Sequence, residues 1–368
     1  MSAPQTALPG WIDYGLIPLT NLLLAFLVAG CLVLLIGENP IEAVQLMLEG
    51  ALGFGEGIGF TLFYATSFIL TGLAVAVAFH GGLFNIGGEG QAYVAGLGVT
   101  LVALSFDTTL HWSLVMLLAM VAAALFGGLW ALVPAWLQAK RGSHVVITTI
   151  MFNFIASSLM VYLLVNVLSP EGSMAPESRT FEVDGRIPKL DGFMQWFGVD
   201  IGSAPLNASF FVALIACVAV YLLIWKTRLG YEIRAFGANP TAAAYAGINP
   251  VRITLIAMML SGALAGLMAL NPVMGDQARL NVEFVGGAGF VGIAVALMGR
   301  AHPVGIVLAS ILFGMLYQGG AELAFEKPNI TRDLVIAIQG LVILFVGALE
   351  HLTRPWVARA YARVAGGE

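Results

Sequence analysis

Long apolar stretches separated by short polar connections run through most of the chain. They cover 16–37, 58–80, 83–106, 113–138, 144–168, 207–226, 251–273, 283–300, 302–323 and 331–350. A helix needs about 20 mostly apolar residues to cross a bilayer, and each window approaches that length. The pattern predicts an all-α, polytopic membrane helical bundle of about ten transmembrane helices. The third and eighth windows are rich in Gly and weaker as simple spans, so a broken or re-entrant segment is expected at either. Residues 1–15 and 351–368 are read as tails flanking a transmembrane domain over 16–350.

Composition sharpens the class. Of 368 residues, 59% are hydrophobic and 10% are charged, against about 25% charged in a soluble domain. The 44 Gly and 15 Pro sit inside apolar runs, which membrane helices tolerate. Cys31 and Cys217 both fall in apolar runs and support neither a disulfide framework nor a Cys-based metal site. A formal net charge of −5 argues against a nucleic-acid partner. No Lys or Arg precedes Lys140, so the basic region of a cleaved signal peptide is missing and the first apolar run is expected to remain as a helix.

Basic residues favour cytoplasmic loops. With the N-terminus inside and ten alternating spans, the inner set holds Lys140, Arg141, Lys226, Arg228, Arg234, Arg252, Arg300, Arg354, Arg359 and Arg363, ten of the sixteen. Both termini are therefore expected in the cytoplasm; nine spans from an outside start is the rival. The one long polar segment, 169–206, then faces outward, either capping the mouth of a pathway, contacting a binding protein, or serving as a surface loop.

Two segments carry chemical information. In the first, His80 is followed by Gly81-Gly82-Leu83-Phe84-Asn85-Ile86-Gly87-Gly88-Glu89-Gly90-Gln91. A charge at membrane depth costs a few kcal/mol or more and normally faces protein or a watery path. Three readings stay open: a broken helix lining a substrate pathway with Asn85, Glu89 and Gln91; close helix packing with Glu89 satisfied by a neighbour; or a solvated turn. In the second, Asn239 is a good N-cap, Pro240 suits the first helical position, Gly247 a left-handed terminus, and Pro250 blocks continuation. These signals predict one helix of about seven residues, too short to cross a bilayer, on a basic loop over 227–250. A small-residue helix of this kind is shaped to dock into a cleft of a partner; lying on the membrane surface is the alternative.

Phe84-Asn85-Ile86-Gly87-Gly88-Glu89-Gly90-Gln91 resembles the signature of permease subunits in nucleoside-type ABC importers, a group related to ribose and branched-chain amino-acid permeases. The run Gly237-Ala238-Asn239-Pro240 through Ala246-Gly247-Ile248 resembles that group's cytoplasmic coupling segment, and Gly292 to Gly299 with Pro303 and Gly305 also fits it. The resemblance implies a multi-pass protein of the bacterial cytoplasmic (inner) membrane. Its implied partners are a second permease, alike or different, cytoplasmic ABC ATPases, and an extracytoplasmic substrate-binding protein. It implies ATPase coupling through Gly237, Asn239, Pro240, Ala242, Ala243, Tyr245, Gly247 and Ile248. No cofactor is expected in this chain. None of Lys140, Lys189, Lys226 or Lys327 follows a glycine as a Walker A lysine must, so ATP is expected to act through the partner ATPase.

Simple sugars and branched-chain amino acids are alternative solutes. An ion-coupled secondary transporter is the rival mechanism, although Glu89 is the one acidic residue expected well inside a span. An intramembrane enzyme has little support, because His80, His111, His144, His302 and His351 mostly fall at span ends and form no metal motif. Asn153, Asn166, Asn271 and Gln339 are further polar residues available to line a path.

Overall fold

The computed structural model describes Pro9, Ile12 and residues 16–345, 354–359 and 361. The tail over 1–15, the end of the tenth apolar window and the tail over 351–368 therefore lie mostly outside the described residues. The chain divides into two units, Ala51–Met315 and Met1–Gly50 with Leu316–Glu368.

In the smaller unit, α1 (Ile17–Leu35) ends at Gly37, whose φ of 90° reverses the chain. The next helix, α2 (Pro40–Leu48), starts at Asn39, whose side-chain oxygen accepts the Ile41 amide at 3.0 Å. The axes of Leu19–Leu35 and Pro40–Gly53 differ by 117°.

The larger unit is built around α3 (Gly55–His80), which has 83% of its apolar window buried. Around it pack α4 (Gly88–Phe106), α5 (Trp112–Arg141), α6 (Val145–Leu163, continued by a π-helical turn to Leu168), α7 (Asp191–Gln195) and α8 (Ser209–Lys226). They are followed by α9 (Arg228–Ala238), α10 (Pro240–Tyr245), α11 (Pro250–Leu267), α12 (Leu270–Gly275) and α13 (Ala288–Met298). Helices α14 (Pro303–Glu326) and α15 (Arg332–Ile343) follow in the chain. In that smaller unit the Lys327 ammonium lies 2.7 Å from Glu42 and 3.5 Å from Glu38.

Helices α5 and α11 cross in close contact. A Cβ on Gly127 would stand 2.3 Å from the Gly262 carbonyl oxygen, and one on Gly266 2.4 Å from that of Ala123. Only glycine permits these backbones to touch. In a bilayer, where apolar surface alone drives no association, small residues four apart are the usual means of packing helices.

Among the described residues, six helices are long and apolar enough to cross a membrane, or seven if the bent α1–α2 pair is one span. The expected count of about ten is thus not reached by length and composition, for local reasons. The third window is not one helix: residues 83–87 are non-helical, and α4 opens on Gly88-Glu89-Gly90-Gln91, which dilutes its apolarity. The eighth contracts to the 11 residues of α13, about 16 Å of helix and too short for a bilayer core. Before it, Gly286 and Gly287 take φ of 55° and 80°. The tenth is helical over α15 and continues as a π-helical turn to residue 345, and its end lies outside the described residues.

The polar segment 169–206 is folded against one end of this larger unit. Leu190, Met194, Ile201, Ala204 and Leu206 form a small buried core. Arg179 makes paired hydrogen bonds to Asp107, at 2.7 and 3.0 Å, just beyond α4. Asp184 accepts the Trp112 amide at the start of α5 at 3.1 Å. The Phe181 and Ile187 amides donate to Ala278 and Met274 at 2.7 and 3.0 Å, so this segment caps the bundle instead of trailing from it.

Candidate functional site

The two informative segments meet at the opposite end of the bundle. Helix α3 stops at a left-handed Gly82, and the Gly82 and Leu83 amides bond back to Phe79 and Ala78. The chain then returns into the bundle without helical structure as far as Gly87. Its depth is fixed by Asn85, which donates to Ser261 Oγ at 2.8 Å, while Ser261 donates to the Ala74 carbonyl at 2.6 Å. Ala74 precedes His80 by six residues, about 9 Å of helix, so α4 begins in the interior.

Every polar side chain in this stretch has a protein partner. Asn85 also donates to Gln91 Oε1 at 3.0 Å, accepts from Gln91 Nε2 at 3.2 Å, and caps the Gly87 amide at 2.8 Å. From α6, Asn153 accepts the Gly90 amide and donates to the Ile86 carbonyl, both at 2.9 Å. Asn85 and Gln91 are each 1% exposed.

Glu89 accepts the backbone amides of Gly287 and Gly289 at 2.9 Å through its two carboxylate oxygens. Two helix N-termini, those of α4 and α13, come together here. A Cβ on Gly289 would lie 2.3 Å from the Glu89 nitrogen. Each N-terminus carries partial positive charge and unsatisfied N–H groups. One carboxylate placed between them neutralises both and satisfies two amides that would otherwise be unpaired. The expected trio Asn85, Glu89 and Gln91 is therefore gathered in one place, hydrogen-bonded into the frame of the bundle.

The predicted short helix forms as α10. Asn239 Oδ1 accepts the Ala242 amide at 3.0 Å, Pro240 occupies the first turn, and Gly247 has φ of 84°. The Gly247 and Ile248 amides close the end onto Ala244 and Ala243. Asn249 and Pro250 start α11 in the same way, with Asn249 Oδ1 accepting the Arg252 amide at 3.1 Å. Of α10 only Ala243 is buried; Tyr245 is 91% exposed.

A contact that the sequence does not reveal joins the two segments. A Cβ on Gly237, near the end of α9, would lie 2.1 Å from the His80 carbonyl oxygen and 2.8 Å from the Gly82 nitrogen. The loop carrying α10 thus rests, backbone on backbone, on the turn leading into Asn85 and Glu89. His80 Nε2 in turn bonds the Ala301 carbonyl at 3.0 Å in the turn between α13 and α14, where Arg300 and Ala301 take φ of 51° and 53°. Ser261 and the Gly287–Gly289 amides were also missed: a lone serine in an apolar helix is weak evidence, and backbone donors have no signature.

Among the other amides, Asn271 is buried against Phe63, Ser67, Asn207 and Ser209, and Gln339 donates to the Leu316 carbonyl. Asn166 lies on an exposed face of the helix that continues α6. No cluster suited to hold a metal occurs among the described residues.

A family model described as the permease component of branched-chain amino acid transport systems matches residues 57–347, and the chain belongs to that family. It is 35% identical to the glucose ABC transporter permease TsgB13 of Haloferax volcanii over 98% of this chain and 94% of that protein. It is 36% identical to the guanosine ABC transporter permease NupP of Bacillus subtilis over 92% and 94% of the two chains. The nucleoside ABC transporter permease NupB of Lactococcus lactis is 31% identical over 94% of each. The protein is thus a multi-pass membrane permease with a transport role, and its family implies an ATPase and a substrate-binding protein as partners.

Proposed function

We propose that this chain is a translocation subunit of an ABC importer for nucleosides, seated in the cytoplasmic membrane and moved by a separate ATPase that docks on α10. The observation that carries this is the mounting of α10: capped at both ends, exposed except for Ala243, and fixed through Gly237 to the turn that enters the α4–α13 junction. A docked motor shifting α10 would move that turn, and with it the two interior helix ends held by Glu89. The switch is a rigid-body change between two packings.

Lys140, Arg141, Lys226 and Arg252 are exposed near the bundle end that bears α10, which supports a cytoplasmic position for that end and an outer position for the 169–206 cap. On this orientation the shorter helices α4, α13 and α15 complete ten passes, some of them through protein-lined interior. The permease has no ATPase role of its own. A second permease would pack against α6, a reading supported by its having the smallest buried share of the candidate spans, 22%. Ser158, Tyr162 and Asn166 share an exposed stripe there that suits a polar path better than lipid. Asn85, Glu89 and Gln91 then support the moving wall of that path.

The names of the relatives divide the substrate between nucleosides and glucose, so a simple sugar is the second reading. The test is uptake into proteoliposomes holding the permease, its ATPase and its binding protein, with a cysteine placed at Tyr245 for cross-linking. We expect ATP-dependent nucleoside uptake and a cross-link from position 245 to the ATPase. Accumulation driven by an ion gradient without ATPase would overturn the mechanism, and uptake of glucose alone the solute.

A further inference from the structure

We propose that Phe193, Trp196 and Phe197 form an uncharged anchor seated in the lipid headgroup layer beside the capped end of the bundle. The short α7 is two-faced. Leu190 and Met194 are buried in the core of the cap, whereas Phe193, Trp196 and Phe197 are 38%, 87% and 69% exposed. A clustered aromatic surface of this kind on a folded segment marks an interaction site.

Its position relative to the bilayer follows from α8. Phe193 stacks edge-on with Phe197 at 5.3 Å and with Phe211 at 5.2 Å between ring centroids. Phe211 lies in the first turn of α8, whose 18 residues extend about 27 Å, close to the thickness of a bilayer's hydrocarbon core. From Phe211 the helical repeat leads to Ile215, Val218 and Leu222, which are 68%, 59% and 49% exposed. The aromatic cluster therefore continues an exposed apolar stripe of a membrane span, at the level where that span leaves the hydrocarbon. Aromatic rings are favoured at that boundary, where an apolar body meets lipid and a polar edge meets water.

The neighbouring charges are Asp191 and Asp200, both acidic, and Lys189 is turned to the Ser203 carbonyl at 3.1 Å. Attraction to anionic headgroups is thus not what holds the patch, and zwitterionic lipid suffices. Gly55 touches the Asp200 carbonyl, so an anchor here fixes the height of the cap against α3. The inference requires only that the chain spans a bilayer and stands apart from its solute or motor.

The test uses the full chain in phosphatidylcholine vesicles. The Trp196 fluorescence is isolated as the difference between wild type and Trp196→Phe, a substitution that keeps an aromatic ring. We expect this component to fall about twofold with lipid brominated near the headgroup end of its acyl chains, as befits a ring at the boundary. Quenching should be weaker with bromine near the terminal methyl, and aqueous iodide should have little effect. Quenching by iodide but by neither bromolipid would show a solvent-exposed loop and overturn the proposal. Equally, a residue reached by iodide in the lone chain but shielded only after the binding protein or a second permease is added would assign the patch to protein.

Discussion

Replacing Gly237 by Ala tests whether motion of α10 reaches the interior helix ends. The new Cβ would lie 2.1 Å from the His80 carbonyl oxygen, 2.8 Å from the Gly82 nitrogen and 3.0 Å from the Gly81 carbonyl carbon. Non-bonded heavy atoms rest near ~3.5 Å, so α9 and the turn must separate by about an ångström. No rotamer can relieve the contact, because all three atoms are backbone. The turn is also braced, by the Gly82 and Leu83 amides bonded to Phe79 and Ala78 and by the His80–Ala301 bond. Overpacking of this kind costs about 1–3 kcal/mol, which weakens attachment of α9 to the turn by roughly 5–150-fold. Measured as solute imported per ATP hydrolysed in proteoliposomes with the partner subunits, Gly237→Ala should lower the ratio about tenfold or more while hydrolysis continues. Gly142→Ala is the control: its φ of 68° strains the backbone, but nothing lies within 4 Å of the new Cβ, and it should leave the ratio unchanged. Wild-type coupling and thermal stability in Gly237→Ala would refute the transmission route.

Three further outcomes follow from the same geometry. Ala243→Trp and Gly247→Trp should insert into the membrane normally yet abolish uptake, because both alter the short helix offered to the motor; normal transport by either would remove that helix from the mechanism. Glu89→Gln leaves one acceptor for two buried amides and brings an N–H against the other, a cost of about 1–3 kcal/mol, so it should lower both thermal stability and uptake. Asp184→Asn keeps an acceptor for the Trp112 amide and should do neither, and equal activities for the two would deny Glu89 its bracing role. At the capped end, burial works against the Asp107 charge, but hydrogen bonds from Arg179 and the Glu182 amide outweigh it and hold the carboxyl below the ordinary aspartate range. Because the folded pKa is the lower one, this stabilisation is full above the unfolded aspartate value and disappears as pH falls through the depressed folded value. Hydrogen-exchange protection factors at the Phe181 and Glu182 amides, corrected for the intrinsic pH dependence, should hold down to about pH 4 and fall below it, with Arg179→Ala lowering them already at neutral pH; protection indifferent to both would disprove the clasp.

The class of protein, the six apolar windows that form full-length spans and the boundaries of α10 were legible because they rest on local rules. A membrane helix declares itself by a run of apolar residues, and Asn239, Pro240 and Gly247 each act on the backbone within a few residues. The number of full spans was less legible. Whether residues 83–87 and 276–287 stay helical depends on what receives their free backbone groups, and those partners, Asn153 for Ile86 and Glu89 for Gly287, come from elsewhere in the chain. The capping role of 169–206 was open for the same reason: Asp107 and Arg179 look like ordinary loop charges until α4 and the segment are brought together.

By itself, then, the sequence determined a bilayer-embedded helical bundle and a short helix set outside it, since solvent preference and cap chemistry are written residue by residue. Only the tertiary structure decided that Gly237 lies on the turn before Asn85, and that one carboxylate joins the starts of α4 and α13. Those are contacts between backbone groups far apart in the chain. Backbone atoms are the same at every position, so nothing in the order of side chains announces where two of them will meet.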